Sequence, residues 1–472
     1  MKRLLTLVAA AVVPLAALVP LPSSSAAEPS NCSTLSVKAP QGAHVDSVTA
    51  VDQPGGTVTF PPNPPFPNDP VAGVPAYCEV TVQLSHPGAD DHVKTVVWLP
   101  KTGWNGRFQA LGGSGYWAGE FGAPWANAVK AGYAVAATDA GVGPSPFTAD
   151  NWALKDGKVN QGLLTNFASR SLHDLAEVGK AVTQQYYGRA ASYSYWNGCS
   201  TGGRQGYVEA QRHPDDFDGI LAASPAINWD RWTVAAIWPA VVMNQEHTYP
   251  TKCEFDEFAK AAIQACGIDA PQDCRWAPEH LIGKTILCEG KPVKITAADA
   301  RVVRKIWDGP RGLWYGLTRG TSFDGLAVTD GQHAVPFVVP DSWVRNFLKL
   351  DPSFDTSKLT YAQYYKLFRQ SHAQYDKVIG SDNPDLSGFR RSGGKLLSWH
   401  GLADSLIPAQ GTVDYHKRVE RRLGDVDDFY RLFLVPGAGH CGGGPAPTDP
   451  LGALVKWVEQ GKAPSTLSDL SS

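Results

Sequence analysis

Short apolar runs alternate with amphipathic stretches from about residue 80 to residue 225. Residues 93–99, 108–111, 133–138 and 193–197 are apolar or β-branched runs of strand length. Residues 172–187 instead carry their apolar side chains at helical spacing. Strands that alternate with helical segments are typical of a parallel sheet flanked by helices, so the pattern predicts an α/β fold.

The alternation stops near residue 226 and resumes near residue 393. Residues 395–399 and 429–435 are again predicted strands, and residues 413–423 and 451–459 are predicted helices. The chain is therefore predicted to form one sheet domain, residues 28–225 and 393–472, interrupted by an inserted domain over residues 226–392. Half of the eight cysteines lie in the insertion: Cys253, Cys266, Cys274 and Cys288.

The first residues read as an export signal. Lys2 and Arg3 precede an apolar stretch that Pro14 and Pro20 interrupt, and small residues follow it. This pattern predicts a secretory signal peptide over residues 1–27. The alternative is an N-terminal membrane anchor, which two prolines and a small-residue exit disfavour. We therefore expect a secreted, extracellular protein.

An even number of cysteines in an exported chain predicts disulfides. Cys32 and Cys78 bracket residues 28–77, which are rich in proline and glycine and predicted as loop, so a bridge between them would pin this arm. Of all residues 43% are hydrophobic, which permits a large core and excludes intrinsic disorder. The net charge of −3 offers no basic surplus for nucleic acid or an anionic membrane, so neither is expected as a partner.

A candidate nucleophile lies in Gly198-Cys199-Ser200-Thr201-Gly202, which follows a predicted strand and precedes a segment able to form a helix. This is the context of a nucleophile elbow, in which the turn is too sharp for side chains beside the serine. The backbone N–H of Thr201 would then point at a developing oxyanion. The alternative is a passive serine in a glycine-rich turn, which the strand and helix disfavour.

A serine hydroxyl needs a base, and in this type of fold the order is serine, acid, histidine, each after a strand. Asp404 follows residues 395–399, and His440 follows residues 429–435. Other acids, Asp414 and Asp425, lie in a helix or a turn instead. His400 is a rival base, but it precedes Asp404, so we expect it to be structural. Asp404 would orient His440 and stabilise its imidazolium.

Cys199 immediately precedes the predicted nucleophile, and Cys441 immediately follows the predicted base. If Ser200 and His440 approach within hydrogen-bonding distance, the two cysteines come close enough for a disulfide. Cys-Ser, Asp and His-Cys in this order resemble the signature of the tannase and feruloyl esterase family, and the likeness runs from about residue 77 to residue 461. Further segments resemble that family: residues 104–108, 194–206, 217–220 and 224–226.

The resemblance implies an α/β-hydrolase fold that hydrolyses esters through an acyl-enzyme, with residues 226–392 as a lid. It also implies that Gly113, together with Thr201, supplies the backbone N–H groups for the oxyanion. Gly112 is a close alternative, because either glycine of Gly112-Gly113-Ser114-Gly115 could occupy the oxyanion position of the family.

The chain departs from that family at two places. Many members carry a calcium loop in the lid, whereas residues 265–274 offer only Asp269 and Asp273, too few for an ion that takes six to eight oxygens. We therefore expect no metal and no cofactor, and we expect lid disulfides to stabilise this region, most simply Cys253–Cys266 and Cys274–Cys288. Val142 replaces a usual histidine, which affects the local loop and not the triad.

The substrate follows less directly. Tryptophans in the lid could stack on a phenolic ring, although most are expected to be lid core. We expect feruloyl esters, as small molecules or in plant cell walls. Gallate or other aromatic monoesters are the alternative within the family. A catalytically silent carbohydrate- or phenol-binding module is the alternative of another class, and the intact triad disfavours it.

Overall fold

The computed structural model describes residues 31–61, 68–119, 122–269, 271–467 and 470–471. The predicted signal peptide, residues 1–27, lies outside them. Within the described residues one large sheet has nine strands. In chain order these are β1 His44–Gln53, β2 Tyr77–Ser85, β3 Val93–Pro100, β4 Arg107–Leu111, β5 Ala134–Thr138, β6 Tyr193–Cys199, β7 Gly219–Ala223, β8 Lys395–Gly401 and β9 Tyr430–Val435.

The strands lie in the order β1-β2-β3-β5-β4-β6-β7-β8-β9. The pairs from β1 to β5 are antiparallel, and those from β5 to β9 are parallel. Parallel strands bring their carboxyl ends to one edge of the sheet, where ligand sites of such sheets form. The loops that follow β4, β6, β8 and β9 therefore converge there.

Helices cover both faces of this sheet and also form most of the inserted segment, residues 226–392. They are α1 Ala123–Lys130, α2 Gln161–Thr165, α3 Ser171–Tyr187, α4 Thr201–Arg212, α5 Trp229–Ala235, α6 Trp238–Glu246, α7 Lys252–Cys266, α8 Ala297–Asp308, α9 Val338–Trp343, α10 Tyr361–Ile379, α11 Ser387–Arg391, α12 Gln410–Leu423 and α13 Pro450–Gln460. Leu175 of α3 and Val208 of α4 pack in one apolar cluster with Phe108 of the sheet. Val129 of α1 and Leu454 of α13 pack in a second cluster on the opposite face. Among the described residues, no helix has the length and apolarity needed to span a membrane.

Short ladders lie outside the large sheet and pair Gly56–Val58 with Val71–Val74, Leu154–Lys155 with Lys158–Val159, Thr285–Cys288 with Lys291–Lys294, Val328–Thr329 with Ala334–Val335, and Ala446–Pro447 with Leu470–Ser471.

Residues 226–392 leave the sheet after β7 and return at β8, which are neighbouring parallel strands. This segment contributes most of one apolar cluster, in which Trp229 and Trp343 are fully buried. Tyr116 of the sheet domain belongs to the same cluster, so the insertion packs directly onto the sheet domain. Phe389, near the end of the segment, packs in the sheet core instead. The chain thus rejoins the sheet domain slightly before β8.

The predicted loop-rich arm contains a strand that the sequence analysis missed. β1 pairs along its whole length with β2 at the edge of the sheet. Its residues alternate between exposed and half-buried positions, with none fully buried. A strand without a buried face carries a weak hydrophobic signal, which explains the omission. Cys32 is bonded to Cys78, as predicted, and ties the start of the described arm to β2.

The predicted pairing of the lid cysteines is wrong. The structure bonds Cys253 to Cys288 and Cys266 to Cys274. Cys253 and Cys266 lie at opposite ends of the single helix α7. At about 1.5 Å of rise per residue their Cα atoms are about 20 Å apart, far beyond the roughly 7 Å that a disulfide can bridge.

Candidate active site

Ser200 lies at the sharp turn between β6 and α4. Its φ of 60° and ψ of −119° form a conformation that residues other than glycine rarely adopt. A Cβ atom on Gly198 would lie 2.5 Å from the carbonyl carbon of Gly202. A Cβ atom on Gly203 would lie 2.5 Å from the carbonyl oxygen of Ala223. Glycine is therefore required on both sides of Ser200, as in a nucleophile elbow.

Asp404 and His440 meet at the same edge of the sheet, on the loops after β8 and β9. The imidazole Nδ1 of His440 lies 2.8 Å from Oδ2 of Asp404. The other carboxylate oxygen of Asp404 accepts the backbone N–H groups of Leu406 and Ile407, each at 2.9 Å. Because both oxygens are engaged, the carboxylate is held in one orientation and presents Oδ2 to the histidine.

The charge on Asp404 is stabilised although the side chain is fully buried. Burial opposes ionisation of this carboxyl group, but the electrostatic interaction and hydrogen bond with His440 and the hydrogen bond with His400 outweigh it. Together they hold the pKa of Asp404 below its ordinary value. An ionised Asp404 is the form that can stabilise an imidazolium on His440.

His400 lies behind Asp404, fully buried, and does not line the cavity at Ser200. Its Nε2 lies 3.2 Å from Oδ2 of Asp404 and 2.9 Å from the carbonyl oxygen of Ile407. Both neighbours are acceptors, so Nε2 carries the proton. Nδ1 then accepts the hydroxyl of Thr412 at 2.9 Å. His400 thus supports the carboxylate of Asp404, a contact that the sequence order alone did not indicate.

The other acids considered from the sequence lie elsewhere. Asp414 on α12 accepts the hydroxyl of Tyr315. Asp425 accepts the backbone N–H of Asp427 within its own turn. Neither carboxylate contacts His440 among the described residues, so Asp404 is the acid that the fold brings to this histidine.

A disulfide joins the two loops that carry Ser200 and His440. Cys199 and Cys441 are bonded, with their Cα atoms 5.8 Å apart, across 242 positions of sequence. Cys441 has a φ of 57°, so the chain turns immediately after His440. The bond holds the loop after β9 against the end of β6 and limits the separation of the serine and the histidine.

Ser200 and His440 line a small cavity of about 70 Å³. The insertion closes it from above with Trp232, Phe337 and Val339. No hydrogen bond joins the serine hydroxyl to the imidazole within the described part of the chain, a contact that free hydrolases commonly tighten only with substrate bound. Other tryptophans of the insertion are lid core, as expected, and are 0–5% exposed: Trp229, Trp238, Trp307 and Trp343.

The loop after β4 supplies the opposite wall, and here the structure changes the expected oxyanion donor. The N–H of Gly112 donates to the carbonyl of Asn197 at 3.0 Å, and that of Gly113 donates to Oε1 of Gln205 at 2.9 Å. Neither glycine therefore has a free donor. The N–H groups of Ser114 and Thr201 have no partner among the described residues, and both residues line the cavity.

Comparison with known proteins is consistent with this geometry. Residues 78–471 match the family model described as tannase and feruloyl esterase. The chain is 49% identical over 461 residues to a probable feruloyl esterase of Arthroderma benhamiae, covering 92% of this chain and 85% of that protein. It is 27% identical over 473 residues to a tannase of Aspergillus oryzae, covering 83% of this chain and 79% of that protein.

Solved structures with the same fold include two esterases. Tannin acyl hydrolase from Aspergillus niger superposes with a TM-score of 0.78 at 27% identity, covering 90% of this chain and 85% of that one. Feruloyl esterase B from Aspergillus oryzae superposes with a TM-score of 0.75 at 26% identity, covering 90% and 88%. These likenesses confirm the predicted α/β-hydrolase fold.

Proposed function

This chain belongs to the tannase and feruloyl esterase family, and from that premise we propose that it is a secreted serine esterase that cleaves feruloyl-type esters. Members of this family are carboxylic ester hydrolases, and this chain is therefore a carboxylic ester hydrolase. The observation that carries the proposal is that Ser200 and His440 line one cavity under the insertion, while buried Asp404 lies 2.8 Å from Nδ1 of that histidine.

The proposed reaction begins when His440 accepts the proton of the Ser200 hydroxyl through Nε2, the nitrogen that Asp404 leaves free. The serine oxygen attacks the ester carbonyl carbon, and the carbonyl oxygen becomes an oxyanion that backbone N–H groups stabilise. The tetrahedral intermediate collapses, and the alcohol leaves with the proton from His440. Water then attacks the acyl-enzyme in the same way, releasing the acid and restoring Ser200.

The lining of the cavity favours a hydroxycinnamoyl group over a galloyl group. The walls away from Ser200 and His440 consist largely of Phe147, Trp232 and other aromatic or aliphatic side chains. A galloyl ring would bring three hydroxyl groups against these apolar walls and would lose their hydrogen bonds to water. The name of the A. benhamiae relative supports the same choice.

Export is the second part of the proposal. The four disulfides of the described residues would persist only in an oxidising compartment. Residues 1–27 have the composition of a cleavable signal. Both observations support a protein that acts outside the cell on small phenolic esters or on those of plant cell walls.

The test compares wild type, Ser200→Ala and the control Ser85→Ala, which alters a half-buried serine on β2 that donates to Asp46. Hydrolysis of methyl ferulate, methyl gallate and a short-chain acyl ester is measured for each protein. We expect wild type to favour ferulate, and Ser200→Ala to lose roughly 10⁴-fold or more in kcat with unchanged unfolding. Retained activity in Ser200→Ala would remove the serine mechanism. Faster hydrolysis of gallate would make the protein a tannase.

A further inference from the structure

The loop that faces Ser200 is bonded to the first turn of the helix that follows Ser200. The backbone N–H of Gly202 donates to the carbonyl of Gly113 at 2.8 Å. The hydroxyl of Thr201 donates to the carbonyl of Gly115 at 2.7 Å. The two walls of the cavity are therefore one hydrogen-bonded unit, although about 90 positions of sequence separate them.

A side chain one turn further along α4 completes this unit. Oε1 of Gln205 accepts the N–H of Gly113 at 2.9 Å, and Nε2 of Gln205 donates to the carbonyl of Ala118 at 2.9 Å. Gln205 is fully buried. Its amide has one orientation only, because a flipped amide would place its NH₂ group against the Gly113 N–H. Gln205 thus spans the loop from Gly113 to Ala118.

We propose that Gln205 is a positioning residue for the oxyanion site, and that the N–H of Ser114, not that of Gly113, acts there with the N–H of Thr201. This inference rests on the proposed serine mechanism. Gln205 takes up the N–H of Gly113 and holds both ends of the loop. The next N–H, on Ser114, has no partner among the residues that the structure describes and lies at the cavity wall.

The physical reason is preorganisation. Backbone donors stabilise an oxyanion strongly only when they are already aimed at the position where its charge develops. Without the amide of Gln205, the N–H of Gly113 would be buried and unpaired, which is unfavourable for a backbone donor. The loop would relax to satisfy it and would turn Ser114 away. The effect belongs to the transition state, so it should lower kcat more than it raises KM.

The first measurement compares Gln205→Met with Gln211→Met. Gln211 lies on the same helix and donates to Ser381 and Tyr415, away from the cavity. We expect Gln205→Met to lower kcat about 10²-fold with KM within about twofold, the size expected for one oxyanion donor. Gln211→Met should keep kcat within about twofold. Equal losses in the two variants, or a loss confined to KM, would overturn the proposal.

A second measurement isolates the oxyanion. Phenylboronic acid forms a tetrahedral anionic adduct with a nucleophilic serine, whereas coniferyl alcohol is an uncharged ligand of similar shape to the acyl group. Gln205→Met should weaken inhibition by the boronate by about the factor by which it lowers kcat. It should weaken the binding of coniferyl alcohol at most about threefold. Parallel weakening of both ligands would indicate a merely structural role.

Gln205→Glu provides a rescue if Gln205→Met fails to fold. The introduced carboxyl group, when protonated, can accept from Gly113 and donate to Ala118 as the amide does. The ratio of its kcat to that of wild type should therefore rise as pH falls, while Gln211→Glu shows no such rise. A flat ratio would contradict the proposal.

The substrate for these assays is p-nitrophenyl acetate, because the ratios do not depend on the acyl group. Failure of the boronate to inhibit wild type would refute the serine mechanism itself. Inhibition of wild type with unchanged Gln205 variants would refute only the role of Gln205.

Discussion

Two buried clusters in this protein combine aspartate with histidine at nearly the same distances, with opposite stoichiometry. At the candidate active site one carboxylate, Asp404, lies between His440 at 2.8 Å and His400 at 3.2 Å. Near the amino-terminal end of α3 one imidazole, His86, lies between Asp91 at 2.7 Å and Asp174 at 3.1 Å.

The stoichiometry decides what each histidine can do. The hydrogen bond from His86 to Asp174, together with that to Asp91, outweighs its burial and raises the pKa of His86, which favours its protonated form. An imidazolium between two carboxylates joins segments of the chain but cannot accept a proton from a serine. Among the described residues His440 contacts one carboxylate, that of Asp404 at Nδ1, and its Nε2 has no hydrogen-bond partner there; the ring lines the same cavity as Ser200. A histidine–aspartate pair therefore indicates a general base only where the second ring nitrogen of the histidine is not bonded to another carboxylate.

The largest expected effect comes from removing the interaction between Asp404 and His440. Asp404→Asn should lower kcat on methyl ferulate by about 10⁴-fold, because the amide favours the wrong tautomer of His440 while the geometry stays intact. Asp414→Asn, which alters an acid bonded to Tyr315, should keep kcat near wild type. Equal kcat in Asp404→Asn and wild type would mean that the cluster of Asp404, His400 and His440 has no catalytic role and so does not differ in function from the cluster of His86.

The next largest effect is a loss of stability when His86 is removed from its cluster with Asp91 and Asp174. His86→Gln should lower the free energy of unfolding by about 3 kcal/mol at pH 6, because Asp91 and Asp174 lose the cation between them. Chemical denaturation measures this loss, and kcat per folded molecule should not change. His333→Gln, which alters an exposed histidine beside Asp330, should cost less than about 1 kcal/mol. A large fall in kcat with His86→Gln would connect this cluster to catalysis.

The smallest effect is the pH dependence of that loss. A raised folded pKa means that His86 contributes its full stabilisation below its unfolded pKa of about 6.5. The contribution disappears as pH rises through the folded value. The difference in unfolding free energy between wild type and His86→Gln should therefore shrink from pH 6 to pH 9. A difference that grows over this range would mean that His86 is neutral in the folded protein.

Most residues of the proposed catalytic site could be singled out from the sequence because each has a local signature. The glycines around Ser200 reflect a turn in which a Cβ atom does not fit. Asp404 and His440 each follow a short apolar strand, and parallel strands deliver such loops to one edge. Cys199 and Cys441 add a covalent constraint. The sequence indicates it because Cys199 directly precedes Ser200 and Cys441 directly follows His440.

The contacts between distant segments were the ones missed. Gly113 looked like a free donor, because nothing near it in sequence reveals that Gln205 would take its N–H group. The lid cysteines were paired as neighbours in sequence, and the length of α7 separates them. The sequence of β1 has the pattern of a loop, because the strand pairs at an edge of the sheet and has no buried face.

The sequence by itself determined the α/β class, the insertion, the order of the predicted triad and the family resemblance, because these depend on local periodicity and on small residues at sharp turns. Only the tertiary structure decided which N–H groups remain free, which cysteines meet, and that His400 supports Asp404. Hydrogen bonds between segments far apart in sequence depend on distances that no local pattern encodes, since each donor is satisfied by whichever acceptor the packed fold brings to it.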